Sequence, residues 1–196
     1  MKFSVIIPAY NAEGHIRKAL DSVKNQTFTD YELIVICDSC KDKTREIAES
    51  YGAITEAVQY HCDGPTRNRG LDLATGEWVL FIDDDDWWLR NDVLEDLNLR
   101  LKDEDILAFS FLWPDGKVST PRANRGYYWP AVWNKCYRRE FIGGQRFNNA
   151  YMASDLYWTN ALLQRRPLIT DCYSVYYFYN YMRPGSQTEL EHRRQQ

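Results

Sequence analysis

Six carboxylates in this chain stand where they could act on a substrate. Asp83, Asp84, Asp85 and Asp86 are consecutive and directly follow the apolar run 78–82. Asp38 follows a second apolar run, 33–37, and Asp155 stands beside Ser154 where a helical pattern opens. A third run, 3–7, leads into Pro8-Ala9-Tyr10-Asn11. Four adjacent acids repel one another, and at the end of a buried strand only a cation or a proton relieves that repulsion. Hard carboxylate oxygens select Mg²⁺ or Mn²⁺, and Mg²⁺ typically takes one or two carboxylates plus substrate phosphate oxygens. The acids at 83–86 therefore point to a metal-bound diphosphate. Asp155 admits two readings, a helix-start acid that complements the dipole or a general base. The residues alone leave both open.

The elements that must position these groups follow from periodicity. Runs 3–7, 33–37, 78–82 and 106–111 are short, apolar and rich in β-branched or aromatic residues, so they read as buried strands. Ile16, Ala19, Leu20 and Val23 have the i, i+3, i+4, i+7 spacing of an amphipathic helix, with Asn11 as its predicted cap and Pro8 as the stop of the strand before it. A second helix runs through Ile47 and Ala48, a short one over 66–74, and a further one capped by Asn91 buries Leu94, Leu97 and Leu101. A weaker strand is expected within 53–60. Strand and helix in alternation predict a parallel sheet with helices on its faces, and ligands in such sheets bind beyond the carboxyl ends of the strands. All three polar clusters fall at such ends. Past residue 111 the expectations are a hairpin turn at Asp115-Gly116, a strand over 131–137, and a helix from Ser154 to about Gln164.

Composition narrows the classes. The 196 residues, 44% hydrophobic and 27% charged, suit one soluble domain, taken as 1–196, with a regular first half (1–111) and a less regular second half (112–196). A net charge of −4 gives no basic excess for nucleic acid, no run spans a bilayer and no secretory leader opens the chain, which predicts a cytoplasmic protein. Five scattered cysteines read as reduced thiols. Cys37 and Cys40 with His61 and Cys62 lack the second closely spaced ligand pair of a zinc module. The acids lack the spacing of an EF-hand, and there is neither a Walker A loop nor a GxGxxG after the first strand. Seven Trp and 14 Tyr, crowded into the second half, read either as packing or as a platform for sugar rings.

FSVIIPAYN, QTFTDYELIVICDSCKD and RNRGLDLATGEWVLFIDDDDWW, followed by VWNKCYRREFI and ASDLYW, resemble in order and spacing the family 2 glycosyltransferases. The resemblance covers nearly the whole chain. It implies a GT-A type, Rossmann-like α/β fold, with a mostly parallel sheet and helices on both faces in a single domain. It implies inverting transfer from a nucleotide-diphosphate sugar, most simply UDP-linked, to an acceptor hydroxyl, with Mn²⁺ or Mg²⁺ on the diphosphate. In that reading Pro8 and Tyr10 line the nucleotide, Tyr10 stacking on the base, and Asp38 accepts the imide N–H of uracil. Arg67 lies near the diphosphate, Asp83 meets the ribose or the metal, Asp84 fills the middle of the DxD, Asp85 is the main metal ligand and Asp155 is the general base.

The chain departs from the family pattern in places. The usual Asp-Asp-Gly-Ser is Cys37-Asp38-Ser39-Cys40, so the turn there is expected to differ, and the Glu before the catalytic Asp is Ser154. The late arginine that could hold the diphosphate is Arg183, and His192 reads as a solvated tail residue rather than a metal ligand. Thymine or guanine would suit an Asp acceptor as well as uracil. The shortness of the chain points to an acceptor that is small or presented by something larger. Three other classes compete: a transferase-like binding or scaffold module without turnover, a glycoside hydrolase built on two carboxylates, and a sugar-phosphate nucleotidyltransferase, which would open with a Gly-rich loop where this chain has PAYN.

Overall fold

Phe3–Ala9 (β1) is buried at every position and is the strand on which the sheet is built. It pairs in parallel with Tyr31–Asp38 (β2) on one side and Trp78–Phe81 (β4) on the other, while Ile54–Val58 (β3) extends the sheet beyond β2. The computed structural model describes residues 1–122, 126–150, 153–181, 183, 184, 186 and 189. Beyond β4 the order continues through Lys135–Arg138 (β8), Ile106–Leu112 (β6), Ile169–Phe178 (β9) and Trp87–Trp88 (β5), with Val118–Ser119 (β7) paired to β6. The β8 pairings and the short β5 and β7 pairings are antiparallel, and the longer ladders, including β6 with β9, are parallel.

Helices cover both faces, as expected. Ile16–Lys24 (α1), Thr44–Ser50 (α2) and Val93–Arg100 (α4) bury their apolar stripes against Phe3, Val5 and Ile7 of β1. The alternate residues Ile6, Ile34, Ile36, Val79 and Phe81 face Asp63–Leu73 (α3), Arg139–Ile142 (α5) and Ser154–Gln164 (α6). That a strand should feed both clusters with successive side chains follows from its period of two, and burial on both faces is why these strands are continuously apolar. Gly70 sets how closely α3 approaches the sheet, because a Cβ there would lie 2.3 Å from Ile6 Cγ2.

Several local expectations are corrected. The strand runs through Pro8 to Ala9. Ile6 O accepts from Ile82 N, so the backbone edge of Ile6 and Pro8 faces β4, and the ladder to β4 stops at Phe81, where Pro8 has no N–H to carry it further, while the β2 side pairs on to Ala9. Asn11 does not cap α1, whose N-cap is His15. Asn11 instead adopts φ +46° and accepts from Lys41 N. α3 begins at Asp63, three residues before the predicted start, α4 is preceded by Asp92 rather than Asn91, and Ser154 is the first residue of α6 rather than its cap. Of the predicted 131–137 strand only 135–137 pairs, within a β8 that runs on to Arg138, and β9 has no counterpart among the expected strands. The hairpin turn stands: Trp113 N donates to Lys117 O and Gly116 takes φ +84°. Ser39 holds φ +56°, a left-handed backbone for a residue with a side chain, at a cost of about 1 kcal/mol. His192 lies outside the described residues. Among the described residues no helix is long and apolar enough to cross a membrane.

Candidate active site

The strand order β3-β2-β1-β4 changes direction at β1, where the crossover to β2 goes one way and that to β4 the other. A crevice opens at the carboxyl ends of strands at such a switch point. A cleft of about 630 Å³ occupies this position, within the usual size for a small-molecule site. Pro8, Tyr10, Asp38, Arg67, Asp83, Asp84, Asp85 and Asp155 all line it, while Asp86, the last acid of the run, is buried and does not.

The four consecutive acids diverge. Asp83 Oδ1 accepts from Arg67 Nη2 at 2.8 Å. Asp84 accepts from Tyr10 N at 3.1 Å and lies 3.2 Å from His15 Nε2. Asp85 accepts from Arg183 Nε at 2.9 Å. Asp86, buried, accepts from the Tyr177 hydroxyl and from Asn180 N, both at 2.7 Å. Protein partners thus relieve much of the repulsion that pointed to a metal. They do not relieve all of it. Burial, together with the neighbouring acids Asp155 and Asp85, pushes the Asp83 carboxyl up to about 7 against the pull of Arg67. Burial and Asp84 likewise raise Asp85, although Arg183 and His15 oppose them.

Arg67 lies on the cleft floor, 4% exposed, and faces three carboxylates: Asp83, Asp155 at 3.4 Å and Asp63 at 3.8 Å. Four carboxylates, Asp63, Asp83, Asp85 and Asp155, therefore share two guanidinium groups, Arg67 and Arg183, while Asp84 faces His15 and Asp86 has only neutral donors. That excess of hard oxygen donors suits a divalent cation. Among the described residues no three acidic, His or Cys side chains are arranged as a ready cage. A cation held by Asp85, with Asp83, would take its remaining ligands from a diphosphate, the usual habit of Mg²⁺.

Asp155 is the first-turn acid of α6. Its Oδ1 is buried and accepts no hydrogen bond, and its Oδ2 accepts one long bond, 3.3 Å, from Val132 N. The carboxylate is thus lightly solvated and lightly bonded, with its open side toward the cleft. Asp38 is the opposite case. Its carboxylate accepts from Tyr60 N, His61 N, Cys62 N, Thr66 Oγ1 and Ser39 Oγ at 2.8–3.0 Å. Burial would raise this acid, but those donors outweigh it and hold it below the usual carboxylate range. Asp38 thereby fastens the start of α3 to the end of β2, and five donors crowd the roughly four lone-pair sites of a carboxylate. Tyr10 is 59% exposed at the mouth, so its ring is open to the cleft rather than packed in the core.

Sequence reasoning missed other groups. The Tyr177 hydroxyl accepts from Asp83 N at 3.1 Å while donating to Asp86, so β9 pins the acid loop. Lys135 is buried, and its ammonium donates to Trp129 O, Ala131 O and Asn134 Oδ1 at 2.6–2.7 Å. Arg183, flagged from the sequence, reaches Asp85 as described. The far wall consists of aromatic rings: Phe111, Trp113, Trp129, Trp133, Tyr179 and Tyr181.

The family model for glycosyl transferase family 2 matches residues 4–170. The chain belongs to that family. Among its relatives, EpsH of Bacillus subtilis (strain 168) is 31% identical over 170 residues, covering 74% of this chain and 49% of EpsH. Glycosyltransferase GlyA of Streptococcus pneumoniae is 27% identical over 162 residues, 79% of this chain and 22% of GlyA. The chain thus spans about half the length of EpsH and far less of GlyA. The crystal structure of Staphylococcus aureus TarS 1-349 in complex with UDP superposes with a TM-score of 0.80 at 26% identity, covering 92% of this family member and 60% of that chain. The family 2 fold is therefore shared across nearly the whole sheet.

Proposed function

We propose that this family 2 member transfers a sugar from a UDP-sugar to an acceptor hydroxyl with inversion, with Asp155 as general base and a divalent metal on the diphosphate. The observation that carries the reading is the meeting of Asp83 and Asp155, from the two halves of the chain, across Arg67 in one cleft at the strand ends. The UDP-bound TarS structure supports uridine as the base. Tyr10, held by Asp84 through its backbone N–H, offers an exposed ring for that base to stack on. Asp38 acts there chiefly by fixing the floor, and an imide N–H would share an oxygen that already accepts from Tyr60 or Cys62.

In the transfer step the acceptor O–H attacks the anomeric carbon opposite the diphosphate. The new C–O bond forms as the C–O bond to UDP breaks, and the proton passes to Asp155 Oδ2. Asp85, with Asp83, would hold Mn²⁺ or Mg²⁺, which when bound neutralises charge developing on the leaving diphosphate. Arg67 fixes the distance between the acid that serves the donor and the acid that serves the acceptor, which is a positioning role. Arg183 is placed to exchange Asp85 for a phosphate oxygen.

Titration calorimetry of UDP, GDP and TDP tests the donor half. UDP is expected to bind best with Mn²⁺, and EDTA or Asp85→Ala to weaken it about tenfold, about 1.4 kcal/mol. Asp155→Asn is expected to leave UDP affinity intact and to lower kcat by about 10²–10⁴. Because all four acids of the run already have protein partners, a nucleotide-binding module without turnover is the second reading. It requires UDP to bind with no transfer to any acceptor, and failure of every nucleotide to bind with metal present would sink both readings.

A further inference from the structure

Resting on the transferase reading above, we propose that the far wall of the cleft is an acceptor subsite for a neutral pyranose ring, so that the chain extends a sugar rather than a phosphate-bearing polyol or a peptide. Phe111 and Trp133 are buried behind this wall. In front of them Trp113 meets Trp129, Tyr179 and Tyr181 with ring centroids 6.2, 5.2 and 5.4 Å apart. The front indoles have no hydrogen bond left to give: Trp113 Nε1 donates to Ser119 Oγ at 2.8 Å and Trp129 Nε1 to Thr120 O at 3.1 Å. What they offer the cleft is aromatic surface. A pyranose presents such a surface with its axial C–H face while its hydroxyls project from the rim, where one can reach Asp155.

The same wall disfavours the other acceptor classes. Arg67 and Arg183 are the only Lys or Arg side chains among the described lining residues, and both are bound to carboxylates. A phosphate-bearing acceptor would meet acids instead. The TarS relative of Staphylococcus aureus, named a poly(ribitol-phosphate) β-N-acetylglucosaminyltransferase, acts on that different class. A peptide needs main-chain partners, yet the carbonyls of 129–131 are engaged. Lys135 donates to those of Trp129 and Ala131, and Thr159 Oγ1 to that of Pro130 at 2.7 Å.

Saturation-transfer NMR on the UDP-loaded chain tests the subsite, with methyl β-glucopyranoside, ribitol 5-phosphate and a Gly-Ser-Gly peptide as separate probes. Saturation is expected on the axial C–H face of the pyranoside and to be weak on the other two. Trp113→Ala and Trp129→Ala should each weaken the pyranoside about tenfold, about 1.4 kcal/mol, with UDP signals unchanged as the check on folding, and Trp113→Phe should retain it. An octyl glycoside run alongside separates a lipid-borne sugar, favoured over the methyl glycoside, from a free one, bound equally. The proposal is overturned if the pyranoside takes no saturation while UDP does, if ribitol phosphate or the peptide is preferred, or if the alanine variants bind as the wild type. Pyranoside signals without UDP signals would overturn the donor reading and leave the subsite standing.

Discussion

Asp83 and Asp155 are joined by a single guanidinium: Arg67 Nη2 lies 2.8 Å from one carboxylate and Nη1 3.4 Å from the other. A planar fork can hold two acids at a fixed separation, which a point-charge ammonium cannot. Arg67→Lys is therefore expected to lower kcat about a hundredfold while changing UDP affinity much less. Arg67→Met leaves the part-buried Asp83 and Asp155 facing each other without a cation and should cost about 1–3 kcal/mol of stability. Steady-state kinetics and urea unfolding of the two variants check this. A lysine variant with full kcat would show that the two acids do not depend on a common tie.

Asp38 and Glu32 predict sensitivity to acid. Glu32, buried at the base of the sheet, accepts from Ser4 Oγ, Thr75 N and Gly76 N, and these bonds outweigh its burial and hold it below its usual value, as happens at Asp38. An acid whose folded value is depressed contributes stability above its unfolded value, about 4, that is lost as pH falls through the folded one. Thermal unfolding from pH 6 downward should show wild type losing stability faster than Asp38→Asn, with the two curves converging in acid. At neutral pH the variant should be less stable by about 1–2 kcal/mol, the range of a lost helix cap.

Lys135 carries the opposite sign. Burial pulls its ammonium down to about 7, opposed only by Asp155. A base with a depressed folded value binds fewer protons folded than unfolded, so its burial penalty is full below pH 7. That penalty is relieved as pH rises toward the unfolded value of about 10.4. The stability of wild type relative to Lys135→Met should therefore increase between pH 7 and pH 10. A difference independent of pH would show that the folded ammonium keeps its ordinary value and stays charged across this range.

These two groups also mark how much was legible in the sequence. β1, β2 and β4 were readable because strands buried on both faces are continuously apolar, and the acids at their ends stood out by position. β9 was not, since its burial is irregular along Ile169–Phe178 and register shifts interrupt its pairing with β6. Lys135, within VWNKCYRR, reads locally as a surface cation, and only the fold brings the carbonyls of 129 and 131 over it. Asp38 could be recognised as a site residue, but its three backbone donors come from 60–62, a segment whose return to β2 no local pattern announces. Pro8 reads locally as a stop, and only the register shows the strand continuing to Ala9 along β2 after its ladder to β4 has ended.

Gly70 gives a stability prediction independent of the chemistry. A methyl group there would drive α3 off Ile6, so Gly70→Ala should cost about 1–3 kcal/mol despite the better helix propensity of alanine. Ile6→Ala added to it should recover part of that loss, which chemical denaturation of the single and double variants will show as non-additivity. Additive losses would mean that the helix makes room in another way.

The pairing of β5 with β9 sets a schedule. Trp87 and Trp88 follow the acids at once, yet their ladder partners are Phe178 and Tyr177, and Asp86 is secured by Tyr177 and Asn180. The parallel strands β1, β2 and β4 can associate while the chain is still emerging from the ribosome. The acid loop cannot take its geometry until β9 has been made and has closed the longest loop among the described strand pairings. A nascent chain would therefore hold β1, β2 and β4 together well before Asp86 found its partners, and anything that binds the acid loop would have to wait for β9.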